Sequence, residues 1–217
     1  MAGMRKIILA SNSPRRKALF GLFGWPFKVL PSEIDESQLP YEAPAQFVKR
    51  LACEKAQKVA EQSTALVIGA DTIVVDGSEI LGKPADEAEA VKMLRQLRDR
   101  THQVYTGIAI IETHTGQSFN AVSQTDVTMR DYSNDEIQAY VATKDPLDKA
   151  GAYAIQHEGF HPVAALDGCF ASVMGLPLCL LSQGLRKFDM RLPDDLGERC
   201  QEALNFTCPI LAEMGKV

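Results

Sequence analysis

Apolar residues gather into short unbroken runs near the start of this chain and into helical or alternating stripes further along it. The run Lys6-Ile7-Ile8-Leu9-Ala10 predicts a short buried strand, and Ser11-Asn12-Ser13-Pro14 supplies the turn chemistry that ends it. Ser13 then caps a helix that starts at Pro14, because a hydroxyl accepts from a free N–H of the first turn and proline has no N–H to leave unpaired. A second strand is expected over Phe27 to Pro31, followed by the acidic loop Ser32-Glu33-Ile34-Asp35-Glu36 and a long helix from about Pro44 to Gln62.

Ala65 to Ala70 reads as another buried strand. Thr72 to Val75 continues to an Asp76-Gly77 turn, and Glu79 to Leu81 returns as a short hairpin. Asp86 to Arg98 places Ala90, Met93, Leu94 and Leu97 on one side of an amphipathic helix. His102 to Glu112 and Gln117 to Met129 are long extended segments around His114-Thr115-Gly116, and Ser133 with Glu136 three residues later is a capping box for a helix to Thr143. Gly151 to Gln156 is expected as a strand, Pro177 to Phe188 as a helix, and Asp194 to Leu204 as helical in pattern. Strands alternate with helices early and hairpins dominate the middle, which predicts an α/β fold: a mixed sheet with flanking helices and a groove between two lobes. Residues 1–190 read as one domain and 191–217 as a C-terminal extension.

Composition narrows the picture. A length of 217 residues fits one large domain or one domain of two lobes, and 46% hydrophobic with 24% charged residues is the balance of a chain that forms a packed core. The net charge of −5 argues against nucleic acid as a partner, since duplex affinity draws on many cationic contacts; a polyphosphate would be held by a few focused cations. The N-terminal apolar run stops at Ser11, too short for a signal-peptide core or a membrane span, which places the protein in the cytoplasm with no membrane partner. Cys53, Cys169, Cys179, Cys200 and Cys208 contain no CxxC pair and read as plain reduced residues. His157 and His161 stand four apart, yet Gly159 and Pro162 favour a loop over a helical metal pair.

The strongest chemical signal is Ser11-Asn-Ser-Pro-Arg-Arg16, a strand-to-helix turn whose free N–H groups and two arginines suit an anion. The same stretch also reads as a capped helix with solvated arginines. Lys55 lies in the stripe Val48, Leu51, Ala52, Val59, where a lysine needs an anionic partner or must snorkel to the edge of the core. Asp71 ends the run Ala65-Leu-Val-Ile-Gly-Ala and, at a strand end, is a candidate for metal binding or base work, or caps a turn. Glu33 is either a second metal-facing oxygen or a solvated loop acid, and Lys83 is held by Gly82 and Pro84. Together Arg15, Arg16, Lys55 and Lys83 with Glu33 and Asp71 form the inventory that metal-assisted phosphoryl chemistry needs.

Leu9-Ala-Ser-Asn-Ser-Pro-Arg-Arg16, Gly69-Ala-Asp-Thr72, Leu81-Gly-Lys-Pro84, Thr106-Gly107, Ala152-Tyr-Ala-Ile-Gln156 and Gly175-Leu-Pro177 stand in the order and spacing of the Maf family. The chain resembles that family over about residues 6 to 188. The resemblance implies an inosine-triphosphate-pyrophosphatase-like (Maf/Ham1) fold, with a mixed twisted sheet and two lobes around a deep groove, a homodimer, and hydrolysis of a nucleoside triphosphate to the monophosphate and pyrophosphate. It gives Asp71 the part of proton acceptor, with Mg²⁺ or Mn²⁺ held partly by Glu33 and with Ser11, Arg16, Lys55 and Lys83 on the phosphates. Arg15, Thr72 and Gln156 match the specificity set of the dTTP and UTP branch, where the branch acting on methylated guanosine triphosphate usually shows Trp, Gln and Glu. The sequence departs from the family at His157-Glu-Gly-Phe-His161 and Asp167-Gly-Cys-Phe-Ala-Ser172. The same chemistry on CTP or 7-methyl-GTP is therefore an alternative, as is a non-catalytic role in inhibiting septum formation.

Overall fold

The computed structural model describes residues 5–209. In chain order its elements are β1 (Ile7–Leu9), α1 (Pro14–Gly21), β2 (Lys28–Val29), α2 (Pro44–Ala60), β3 (Leu66–Asp76), β4 (Glu79–Leu81), α3 (Glu87–Leu97), β5 (Thr101–Glu112), β6 (Ser118–Met129), α4 (Asn134–Ala142), β7 (Val163–Asp167), α5 (Phe170–Val173), α6 (Leu178–Arg186) and α7 (Leu196–Leu204). They build one mixed sheet in the order β2-β1-β3-β5-β6-β7, with β4 paired to β3. β1 runs parallel to β2 and β3, and every other pairing is antiparallel.

Alternation along β3 decides what each face meets. Val67, Ile73 and Val75 pack on the side of α2, with Val48, Leu51, Ala52 and Ala56. Leu66, Ile68 and Ala70 point the other way and join Leu19, Phe20, Leu181 and Leu185 from α1 and α6. Further along that second face Val74 joins a separate core with Leu94 and Leu97 of α3 and Ile137 of α4. The far face is thus covered by two cores, one at each end of the long strands, and these are the two lobes. Helix α2 lies very close to the sheet at two glycines. A Cβ on Gly69 would stand 2.3 Å from the Ala52 carbonyl oxygen, and one on Gly107 2.3 Å from that of Val48.

The local signals are realised at several ends. The Arg16 N–H donates to the Ser13 hydroxyl at 3.4 Å at the start of α1, and Ser133 and Glu136 form the reciprocal cap of α4. One strand is misplaced by the sequence reading. Residues 151–156 form no strand: Ala150–Ala152 is a 3₁₀ turn with Gly151 at φ 68° and Ala152 at φ 58°. The Gly151 N–H donates to the Gly82 carbonyl, and Val74 side-chain atoms lie 3.0 Å from where a Cβ would be, so the chain turns against the sheet here. The last strand is β7, whose mostly exposed residues carry little apolar alternation. Helix α7 packs Leu196, Cys200 and Leu204 onto the α1 and α6 lobe, and Arg199 donates to the Leu22 carbonyl at 3.2 Å. Among the described residues no helix is long and apolar enough to cross a membrane.

Candidate active site

The site is built at a gap in one edge of β3. Along its other edge β3 pairs with β5 from Leu66 to Val75. On the open edge β1 covers only Leu66 to Ile68 and β4 only Val74 to Asp76. Residues 69–73 between them carry no strand. Because β1 is parallel, its exit into Ser11-Asn12-Ser13 runs toward the gap from one side. Because β4 is antiparallel, its exit into Gly82-Lys83 runs toward the gap from the other. Asp71 and Thr72 therefore stand where both motifs converge, in the middle of a continuous strand and not at a strand end as the sequence suggested.

Neighbours on a strand face opposite ways, so Asp71 and Thr72 serve the site from different sides. Asp71 looks toward α2, where the Lys55 ammonium donates to its Oδ1 at 2.6 Å; both residues are buried, at 6% and 7% exposure. Lys55 also meets Glu36 Oε1 at 2.7 Å. This settles the choice at Lys55 in favour of an anionic partner. Burial raises the Glu36 carboxyl pKa, but the hydrogen bond and charge of Lys55, with the charges of Lys83 and Arg16, outweigh it and leave the group below its ordinary value. Thr72 looks toward the cleft between the lobes, where its hydroxyl meets Thr106 Oγ1 at 2.9 Å and accepts from Arg16 Nη2 at 3.2 Å.

Arg16 is locked in place from three directions. Its Nε donates to the Gly175 carbonyl at 2.9 Å and its Nη1 to Ser11 Oγ at 3.3 Å, in addition to the Thr72 contact. Gly175 has φ +106°, and a Cβ there would come within 3.1 Å of Arg16 Nε, so only glycine lets the chain approach the guanidinium. Burial lowers the Arg16 pKa and the charge of Asp71 opposes that shift.

A cleft of about 540 Å³ opens over these groups, in the range of small-molecule sites. Ser11, Arg15, Arg16, Lys55, Asp71, Thr72, Lys83 and Gln156 all line it. Lys83 and Gln156 are exposed at its rim. Glu33, expected as the second metal-facing acid, is exposed and outside the lining. Ile34 packs against the core under α2, Glu33 and Asp35 are exposed outside the lining, and Glu36, although half its side chain is exposed, reaches Lys55 and lines the cleft. Three acids in one loop gave the sequence no way to rank them. Lys149 was also missed. It lines the cleft while its buried ammonium donates to Asp145 Oδ1 at 2.8 Å and Asp148 Oδ1 at 2.6 Å, and its i,i+4 spacing from Asp145 was the available signal.

The profile of the Maf-like protein family matches residues 6–188. A dTTP/UTP pyrophosphatase of Bacillus cereus is 49% identical over 188 residues, spanning 86% of this chain and 97% of that protein. A dTTP/UTP pyrophosphatase of Dictyoglomus turgidum is 47% identical over 192 residues, spanning 87% of this chain and 100% of that protein. Among solved structures, a HAM1 protein from Coxiella burnetii superposes with a TM-score of 0.44 at 19% identity, over 59% of this chain and 75% of that one.

Proposed function

Since the chain belongs to the Maf-like family, we propose that it hydrolyses nucleoside triphosphates, dTTP and UTP before others, to the monophosphate and pyrophosphate. The observation that carries this reading is the Lys55–Asp71 pair at the bare edge of β3, with Glu36 on the same ammonium. It puts an oriented carboxylate at the floor of a cleft whose walls bring Arg15, Arg16 and Lys83 to one ligand. A triphosphate needs that density of fixed positive charge, and the chain's overall acidity makes its concentration here significant.

The Ser11–Ser13 turn and the N-terminus of α1 offer N–H groups to phosphate oxygens, and Arg16 arrives already held by its three partners. Lys55 holds Asp71 through Oδ1. The second oxygen of Asp71 is then the one that accepts the proton of the attacking water. Lys149, already neutralised by two carboxylates, shapes the cleft wall and adds little net charge.

The donor set also fits a hard divalent cation. Asp71 and Glu36 both reach the Lys55 ammonium and both line the cleft, so their remaining oxygens are the ones that would face a cation; Mg²⁺ or Mn²⁺ is commonly held by one or two carboxylates with substrate phosphates and water. Among the described residues no group of three or more such side chains is placed to hold an ion. When bound, the ion supplies charge neutralisation on the phosphates. Base choice falls to Arg15, Thr72 and Gln156, which line the cleft and can pair with a pyrimidine edge that covers them; a wrong edge leaves the covered groups unpaired, at ~1–3 kcal/mol each. The test is a panel of nucleotides with pyrophosphate detection, with and without chelator. The reading requires dTTP and UTP to give the highest kcat/KM and activity to vanish in chelator and return with Mg²⁺ or Mn²⁺. Release of orthophosphate in place of pyrophosphate would sink it.

A further inference from the structure

Thr72 and Thr106 stand opposite each other in the β3–β5 ladder, Thr72 partly buried at the cleft and Thr106 wholly buried behind it. Their hydroxyl oxygens are 2.9 Å apart, and their other partners decide which of the two donates. A hydroxyl has one proton to give and two lone pairs to receive with. Thr106 gives its proton to the Ser172 carbonyl, at 2.8 Å, and a carbonyl oxygen can only accept. Thr72 must therefore donate to Thr106. The Arg16 guanidinium, which can only donate, fills one lone pair of Thr72 at 3.2 Å. The chain of bonds then closes on itself. The Gly175 N–H donates to the same Ser172 carbonyl at 2.8 Å, and the Gly175 carbonyl accepts from Arg16 Nε at 2.9 Å. One lone pair of Thr72 is left for whatever enters the cleft that it lines.

We propose that Thr106 is a positioning residue for base choice: by receiving the Thr72 proton it makes Thr72 a pure acceptor, which selects pyrimidines that carry a proton on N3. The inference rests on the nucleotide reading above and gives its base preference a physical origin. Uracil and thymine present an imide N–H at N3, which the remaining lone pair of Thr72 can receive. Cytosine presents a lone pair at the same place, so base and threonine would meet acceptor to acceptor. An unconstrained threonine escapes that clash by rotating its proton toward the base. Here the rotation is opposed, because it would leave the two hydroxyl oxygens 2.9 Å apart with no proton between them and a wholly buried acceptor unpaired at Thr106.

The test compares UTP with CTP, whose bases differ only in the N3 proton and the group on C4. On the full chain, kcat/KM by pyrophosphate release is measured beside affinity for the non-hydrolysable α,β-methylene analogues of both nucleotides. The wild type should favour the uracil nucleotide ~10–100-fold in each, the scale of one unpaired buried group. Thr106→Val keeps the side-chain shape, and the Ser172 carbonyl keeps its Gly175 donor, so the fold should survive. With the acceptor gone the Thr72 hydroxyl can rotate, and the uracil-to-cytosine ratio should fall about tenfold through a gain for CTP seen in KM. Thr106→Ser returns the acceptor and should return the ratio. The wild-type chain tests the same point without a substitution: 3-deaza-CTP, in which a C–H replaces the N3 lone pair, should bind better than CTP. Equal wild-type affinity for the two methylene analogues overturns the inference, as does 3-deaza-CTP binding no better than CTP. So does Thr106→Val if it leaves the ratio within about twofold of the wild type, or weakens both nucleotides alike as a merely structural residue would. A uracil preference in binding that responds to Thr106→Val, with no pyrophosphate released, would uphold this inference and overturn the hydrolysis reading alone.

Discussion

Gly107→Ala probes how the closeness of α2 to the sheet sets the catalytic geometry. Gly107 stands opposite Asp71 in the β3–β5 ladder. An added Cβ would lie 2.3 Å from the carbonyl oxygen of Val48 and 2.6 Å from its carbonyl carbon, both backbone atoms of α2. Backbone cannot swing aside as a side chain would, and ordinary contact begins near 3.4 Å, so α2 must retreat by about 1 Å. Lys55 rides on that helix two turns further on, with its ammonium 2.6 Å from Asp71 and 2.7 Å from Glu36. The same retreat carries both contacts beyond hydrogen-bonding range. Overpacking of this kind costs ~1–3 kcal/mol, within the reserve of a domain stable by ~5–15 kcal/mol, so the variant should fold. A misplacement of ~1 Å at reacting groups can lower turnover ~100-fold. The expected result is therefore a modest fall in thermal midpoint with a fall of ~100-fold in kcat/KM for dTTP, read by pyrophosphate release. Gly21→Ala is the control, since nothing lies within 4 Å of a Cβ there; it should keep full activity and be stabler by up to ~1 kcal/mol. If Gly107→Ala stays within twofold of the wild-type kcat/KM, the argument from helix position to chemistry is wrong.

Asp71→Asn should keep the fold and lower kcat by at least ~100-fold, the scale of a removed general base; near-normal kcat would take that role from Asp71. Lys55→Met leaves Asp71 buried with no cation at 2.6 Å, which should cost ~3–5 kcal/mol by denaturant titration as well as turnover, and unchanged stability would mean the pair is unimportant. His102 is wholly buried, its Nε2 2.8 Å from the Tyr153 hydroxyl, and burial depresses its pKa to about 4. The unfolded chain, with an ordinary histidine, binds the proton first, so this group's stabilisation is complete above pH ~6.5 and is lost as pH falls to ~4, by about 3 kcal/mol. His102→Gln should flatten the stability curve in that window by a similar amount; an identical slope in both proteins counts against it. Gln156→Glu should erode the preference for dTTP and UTP over other triphosphates while pyrophosphate is still released, as side-by-side kcat/KM values would reveal.

Much of this protein is written locally. Ser13 and Pro14 start α1, Ser133 and Glu136 start α4, and the extended segments around residues 114–116 form the β5–β6 hairpin, because caps, turns and periodicity act within a few residues. The stripe around Lys55 likewise marked a cation that needed an anionic partner or had to snorkel, since that requirement belongs to the side chain itself. Which partner it finds was a tertiary matter. Asp71 reaches Lys55 from the middle of β3 because β1 and β4 leave that edge bare, a fact of strand register. Glu36 and not Glu33 is the loop acid that reaches Lys55, a contact that depends on how the loop lies over α2. Residues 151–156, apolar enough for a strand, instead turn against Val74 and Gly82 at two left-handed positions. The cysteines make the point most sharply: their spacing showed no pairing, and only the packing of α7 on α5 and α6 brings four of them to one hollow. Short-range patterns fix most of the elements, whereas a site joins side chains from distant elements, and their meeting is decided by how the helices cover the sheet.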